Sequence, residues 1–166
     1  RVIPEIIRSM PERFEAYYEP FIGGGALFFH LRSLNILQDN LTTIADLNLR
    51  LVRTYLAIRD DVGAVIDRLE HHRAHNSKEY FYELRGTNID ACRKNADVAA
   101  WFIYLNKTAF NGLYRVNKKN GFNAPWGRYK NPNICDKENL LACNTALQNV
   151  RIIHGQYDST VADAVA

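Results

Sequence analysis

Apolar and polar positions divide the chain into three stretches of different rhythm. In the first, the aromatic-rich residues 17–21 read as a buried strand, and residues 26 to about 37 are apolar over most of a helical circumference. Asp39-Asn40 marks a turn, and Leu41-Thr42-Thr43-Ile44-Ala45, β-branched and apolar, is the second strand. A helix over 48–59 follows, with Leu49, Val52, Tyr55 and Leu56 facing inward, and Ile3, Ile6, Ile7 and Met10 share one face of an earlier helix. From Asp60 the rhythm becomes helical without interruption, over 62–75, 79–85 and 97–107. A doubly wound sheet would interleave strands there, so an inserted helical domain explains the series better. Leu113 to Asn117 then alternates, Lys118 to Gly121 is a turn carrying Asn-Gly, and Phe122 returns, which predicts a β-hairpin within 110–129. In the third stretch, a helix over 138–148 with Leu140, Leu141 and Leu147 inward leads to a third strand, Val150 to His154. The expected organisation is an α/β core over 1–56, a helical hairpin-bearing domain over 57–136, and a return to the core over 137–166.

Glycines tie the first elements into a candidate site. Glu19-Pro20-Phe21-Ile22-Gly23-Gly24-Gly25 carries the first strand into a turn and directly on into a helix. Such a turn needs φ values that a Cβ opposes, and it lets a ligand approach bare backbone. The helix behind it offers unpaired N–H groups and the positive end of its dipole. Asp46 ends the second strand about 20 residues later, where a nucleoside-binding βαβ unit carries the acid that grips ribose hydroxyls. Asp46 or Asn48 can equally cap the next helix.

Composition narrows the reading only where charge is unevenly spread. At 47% apolar and 23% charged, the 166 residues are ordinary for a globular protein, and a net charge of +3 is too mild to argue for nucleic acid. Residues 115–130, however, carry Arg115, Lys118, Lys119, Arg128 and Lys130 with no acid among them. Phe110, Tyr114, Phe122, Trp126 and Tyr129 are interleaved with these cations. A two-stranded ribbon fits the DNA major groove, Arg takes guanine through two parallel hydrogen bonds, and apolar side chains wedge between base steps. Taken singly, each ring is more often core than wedge. The acid-free run shifts the balance, because a merely solvated face mixes signs.

Three cysteines, Cys92, Cys135 and Cys143, lack C-x-x-C spacing and read as packing residues of a reducing, cytoplasmic setting. His71 and His75 stand one helical turn apart without a His-Glu-x-x-His pattern, so a solvated helix end and no metal is expected. No apolar run is long enough to span a bilayer. Arg1 already lies within a helical pattern, and residues 161–166 carry no closing element; the sequence reads as an excerpt of a longer protein.

With Glu19-Pro20-Phe21-Ile22-Gly23-Gly24-Gly25, Asp46-Leu47-Asn48 and the block Leu105-Asn106-Lys107-Thr108-Ala109-Phe110-Asn111-Gly112-Leu113-Tyr114-Arg115-Val116-Asn117, nearly the whole chain resembles the Dam-like, D12 class of adenine-specific DNA methyltransferases. The resemblance implies a partial Rossmann-like methyltransferase core with an inserted DNA-recognition domain. It implies transfer of a methyl group from S-adenosylmethionine to N6 of adenine in a short duplex DNA site, with the base flipped out. Cofactor contacts fall on Glu19, Phe21, Gly23, Gly24, Gly25, Asp46, Gln156 and Tyr157. Phe21 and the glycines would wall the methionine and sugar, Asp46 would hold the ribose, and Gln156-Tyr157 would lie beside the adenine. DNA contacts fall on Phe110, Asn111, Leu113, Arg115 and Pro125 as wedges or base readers, and on Lys118, Lys119, Arg128 and Lys130 as phosphate ligands. The family's Gly-Gly-Lys and Asp-Pro-Pro-Tyr segments are absent from these 166 residues, which contain no Pro-Pro pair. No catalytic residue is therefore assigned within the chain, the motif being expected beyond Ala166, and the chain alone is expected to be inactive. A cognate restriction endonuclease is a candidate partner. Two alternatives remain: a DNA-binding protein without chemistry, and a nicotinamide or flavin oxidoreductase, against which stands Gly-Gly-Gly in place of G-x-G-x-x-G.

Overall fold

The computed structural model describes residues 2–38 and 40–158; the Asp39 half of the expected turn and the tail from 159 to 166 lie outside the described residues. Contacts group the chain into two compact units, Arg1–Val52 with Ala146–Ala166, and Arg53–Thr145.

The first unit is built on three parallel strands, β1 (Ala16–Glu19), β2 (Leu41–Asp46) and β3 (Val150–His154), in the order β1-β2-β3. Thr42, Thr43, Ile44 and Ala45 are consecutive and all buried, so β2 is covered on both faces, as a central parallel strand must be. In register, Glu19 pairs with Ile44 and Asp46 with His154, which aligns the C-terminal ends of the strands along one edge. That edge is where open α/β sheets bind ligands. β1 stops at Glu19, short of the expected Phe21, because Pro20 has no N–H to give the ladder. Phe21 is consequently outside the buried strand and 71% exposed.

Two helices accompany the sheet, α1 (Ile3–Ser9) and α2 (Ala26–Ser33). In α1 the expected apolar face is only half-covered: Ile3, Ile7 and Met10 are half-buried and Ile6 is exposed. α2 buries Phe28 and Leu31 but exposes Ala26, His30 and Ser33, so one face is covered rather than most of the circumference. It ends before the expected Leu37. Ser33 Oγ donates to His30 O at 2.7 Å, and Asn35 turns the chain with a φ of 57°.

The remaining helices are α3 (Leu49–Asp60), α4 (Val62–Ala74), α5 (Lys78–Gly86), α6 (Asn95–Thr108) and α7 (Lys137–Leu147). Side-chain caps set the starts of α3, α4 and α5: Asn48 Oδ1 accepts from the N–H groups of Arg50 and Leu51, Asp61 from Ala64, and Ser77 from Tyr80. α3 turns Val52 and Tyr55 inward as expected, while Leu49 stays exposed. α6 is buried on nearly every side and packs against α4 and α5, which makes it the core of the helical unit. Trp101 Nε1 donates to Leu84 O at 2.8 Å, and Tyr104 Oη donates to Asn76 Oδ1 at 2.9 Å, so its two largest polar rings are satisfied. No helix among the described residues is long and apolar enough to cross a membrane, and all three cysteines are unpaired.

His72 gives this unit a pH dependence. Burial first, and the neighbouring charges of His71 and His75 after it, hold its pKa down at about 4 despite the opposing pull of Asp97. Its Nδ1 lies 2.6 Å from the Tyr80 hydroxyl. The unfolded chain takes up that proton near the ordinary value of 6.5. Stability is thus full above that value and falls as pH drops from 6.5 towards 4. His72→Phe is expected to flatten this part of the curve, seen as a smaller loss of denaturation midpoint between neutral and mildly acidic buffer.

The expected hairpin over 110–129 exists only in outline. Two isolated antiparallel bridges, Ala109 with Trp126 and Val116 with Phe122, replace a continuous ladder. Positive φ values at Asn111, Gly112 and Asn120 bend the arms out of strand geometry. The tip is closed by backbone and side chain together: Asn117 N–H donates to Gly121 O at 2.9 Å, and Asn117 Oδ1 accepts from the N–H groups of Lys119 and Gly121. At the base, Gly127 N–H donates to Thr108 O at 2.8 Å. A Cβ on Gly127 would meet the carbonyl oxygens of Thr108 and Ala109 at 2.9 Å. Gly127→Ala is therefore expected to cost about 1–3 kcal/mol in a denaturation experiment. Gly63→Ala, on a helix position with nothing near the added carbon, should leave the midpoint unchanged or raise it.

Candidate functional site

The glycine turn is built at the strand edge. Ile22 N–H donates to Ala45 O at 2.9 Å, which stitches the turn onto β2, and Gly25 N–H closes it on Ile22 O at 2.8 Å. Gly23 and Gly25 have φ of 48° and 69°, the left-handed region that favours glycine. A Cβ at Gly24 would meet nothing within 4 Å, so the turn presents bare backbone to open space. Asp46 points at the turn: its Oδ2 accepts from Gly23 N–H at 3.0 Å and its Oδ1 from Asn48 N–H at 2.8 Å. An ionised carboxylate has about four lone-pair sites, so roughly two remain for hydroxyl donors. The helix-capping role left open for Asp46 or Asn48 belongs to the Asn48 side chain.

Phe21 and Tyr157 are both largely exposed and lie nearly parallel, with ring centroids 5.6 Å apart and planes inclined by 6°. Gln156 is exposed beside them. Glu19 is turned inward. It accepts from Tyr17 Oη at 2.6 Å and from the backbone N–H of Phe28, and burial above all pushes its carboxyl up from the ordinary value. His154 Nε2 donates to Leu47 O at 3.1 Å, fastening the end of β3 to the end of β2.

In the helical unit, Phe110, Asn111, Leu113, Arg115, Lys118, Lys119, Pro125, Arg128 and Lys130 are all exposed. The rings of the block sort into two sets. Tyr114 packs on Phe102 and Phe122 on Trp101, at centroid distances of 4.9 and 6.0 Å, while Trp126 lies 5.2 Å from Phe81. Phe110 and Tyr129 stay on the surface. The cationic run is not acid-free in space, because Asp90 Oδ2 accepts from Asn120 Nδ2 at 3.2 Å. Sequence reasoning missed the work of Asn117 and Asn123: the first closes the tip, and the second holds the Arg115 side chain. Their signal was the placing of short amides opposite Gly121 and Arg115. Arg85 was missed too. Its Nη1 donates to Ala124 O at 3.1 Å, pinning the returning arm. Cavities of about 330 and 460 Å³ lie among the helices, and neither is lined by any of the candidate cofactor or DNA contacts.

Parallel strands that feed a glycine turn, with an acid closing on it from the next strand, are the parts of a nucleoside-binding α/β fold. The model of the D12 class N6 adenine-specific DNA methyltransferase family matches residues 1–166, and the chain belongs to that family. It is similar to the Type II methyltransferase M1.LlaDCHI of Lactococcus lactis subsp. cremoris, 40% identical over 169 residues, covering 99% of this chain and 57% of the relative. Type II methyltransferase M.MjaIII of Methanocaldococcus jannaschii is 37% identical over 173 residues, covering 95% of this chain and 59% of the relative. A DNA adenine methylase of Vibrio cholerae is 31% identical over 168 residues, covering 98% and 56%. The chain thus spans little more than half the length of each of these three relatives.

Proposed function

We propose that the protein containing these residues methylates N6 of adenine in a short duplex DNA site, with S-adenosylmethionine as donor and with the target base flipped out. The observation that carries the cofactor half is the hydrogen bond from Gly23 N–H to Asp46 Oδ2, at 3.0 Å, which joins turn and acid into one unit. The residues fit such a donor: bare backbone at Gly24 leaves room for its chain, Asp46 keeps acceptor sites for ribose hydroxyls, and Phe21 and Tyr157 offer flat faces to a purine. When bound, the sulfonium supplies the activated methyl group. This chain's part is to orient the donor and keep its sugar and base from rotating, which is the larger share of an in-line displacement.

For the DNA half, exposed cations beside exposed apolar side chains support a recognition role for the inserted domain over 57–136. Lys118, Lys119, Arg128 and Lys130 hold phosphates, while Phe110, Leu113 and Pro125 press on base steps, and Asn111 and Arg115 reach base edges. The Type II names of two relatives motivate a cognate restriction endonuclease as partner.

Calorimetry of the intact protein with S-adenosylhomocysteine and with NAD tests the cofactor reading. Binding of the homocysteine analogue alone is expected; binding of NAD alone would overturn it. The 166 residues by themselves, which hold no Pro-Pro pair, are expected to leave adenine unmethylated. Transfer of labelled methyl into duplex DNA by a polypeptide of just these residues would contradict that.

A further inference from the structure

Arg115 and Asn123 face each other across the two arms of the hairpin block. Arg115 Nε donates to Asn123 Oδ1 at 2.8 Å, and Arg115 Nη2 donates to Asn123 O at 3.0 Å. In return, Asn123 N–H donates to Arg115 O at 2.8 Å. One residue therefore occupies the whole Nε edge of the guanidinium, through its side chain and its backbone together. Of the five N–H donors of an arginine three remain, two of them side by side as a parallel pair at the terminal Nη1/Nη2 edge. The other cations of the block are held differently. Among the described residues, no side-chain donor of Lys118, Lys119, Arg128 or Lys130 has a hydrogen-bond or ion-pair partner.

This contrast separates two tasks. A phosphate is satisfied by a mobile point charge approaching from many directions, so a phosphate ligand gains little from being fixed. A base edge demands two acceptors met at once by two donors in one plane, and a long flexible side chain gives up most of its rotamer freedom to do so. Holding the fork before DNA arrives removes much of that loss from binding. We propose that Asn123 is a positioning residue: it grips Arg115 by the Nε edge, so that the terminal Nη1/Nη2 edge is presented to an adjacent acceptor pair of one base. Guanine, with N7 and O6 in the major groove, is the base that matches. The inference rests on the reading of this block as a DNA-recognition surface.

The test is selection by the intact protein from a pool of duplexes randomised over a short central window, with bound and unbound pools sequenced. Arg115→Ala is expected to erase the preference for guanine at one position. Asn123→Ala should reduce the preference at that same position by roughly 10–100-fold, the worth of one hydrogen bond to a charged group, and should add nothing in the Arg115→Ala background. Asn123→Asp keeps an acceptor for Nε and is expected to retain the guanine preference while total affinity falls. If Asn123→Ala weakened every sequence equally, or cost the same without Arg115, Asn123 would be a phosphate contact or a purely structural residue and the proposal would fail. Should Asn123→Ala not fold, loss of the guanine preference in Asn123→Asp overturns it. Arg115→Ala leaving every positional preference intact is a separate result, and it removes the underlying base-reading role as well.

Discussion

Asp46→Ala is expected to weaken binding of S-adenosylhomocysteine by at least about 100-fold, roughly 3 kcal/mol. Two losses combine. The carboxylate gives up charge-assisted hydrogen bonds to ribose hydroxyls, each worth about 1.5–3 kcal/mol where the donor meets an ionised group. The turn also loses its brace, because Gly23 N–H and Asn48 N–H both end on this one side chain. Asp46→Asn separates the two. One amide oxygen can still accept from one of those N–H groups, but the amide nitrogen then faces the other N–H, donor against donor. Asparagine is therefore expected to fall between wild type and alanine rather than to rescue. Calorimetry measures the affinities, and a denaturation midpoint taken alongside reports how far the turn itself has loosened. An alanine variant that bound the analogue as tightly as wild type would mean that Asp46 only braces the turn.

Much of this site was legible because its parts are local and their chemistry is narrow. Few residue types other than glycine settle at φ of 48° and 69°, so Gly23 and Gly25 announce their turn without any knowledge of what packs around it. Asp46 could be foreseen from spacing, since a strand, a turn and one helix fix how far along the chain the next strand must end. The limits of β1 and α2 were harder to place. Pro20 ends the strand before Phe21, a restriction visible in the sequence yet outvoted by the aromatic-rich run. α2 ends early through Ser33 and Asn35, whose hydrogen-bonding choices depend on local geometry.

The hairpin block shows the other limit. Alternation and an Asn-Gly turn predict paired strands, and the arms do run antiparallel, but unequal lengths of chain lie between the two bridges, so no ladder can close. Scattered backbone hydrogen bonds hold the arms in place, joined by side-chain chemistry in Asn117, Asn123 and Arg85 and by the space that Gly127 leaves for two carbonyls. Pattern reasoning counts apolar positions, and these are amides, a cation and a missing Cβ. The division of the rings had the same cause. Tyr114 and Phe122 pack inward and Phe110 does not, a choice decided by which side of each arm faces α6 and not by residue type.

Phe110 sets the second large expectation. Its backbone is pinned immediately after α6, with Phe110 N–H donating to Pro125 O at 2.9 Å and Asn111 in the left-handed region behind it, yet the residue is 51% exposed. A rigidly mounted, exposed ring is suited to press between base steps, and extruding a base costs a few kcal/mol that such a wedge offsets. Phe110→Ala in the intact protein is therefore expected to slow methylation of normal duplex by about 10–100-fold, equivalent to roughly 1–3 kcal/mol. Its denaturation midpoint should move little, because about half of the residue faces solvent. The decisive comparison uses a duplex in which the target adenine faces a mismatch and already leaves the stack easily. There the variant should recover most of the wild-type rate, since the step the ring assists has become cheap. An equal deficit on matched and mismatched duplex would instead make Phe110 a binding contact with no share in extrusion, and the wedge role would pass to Leu113 or Pro125 on the same surface.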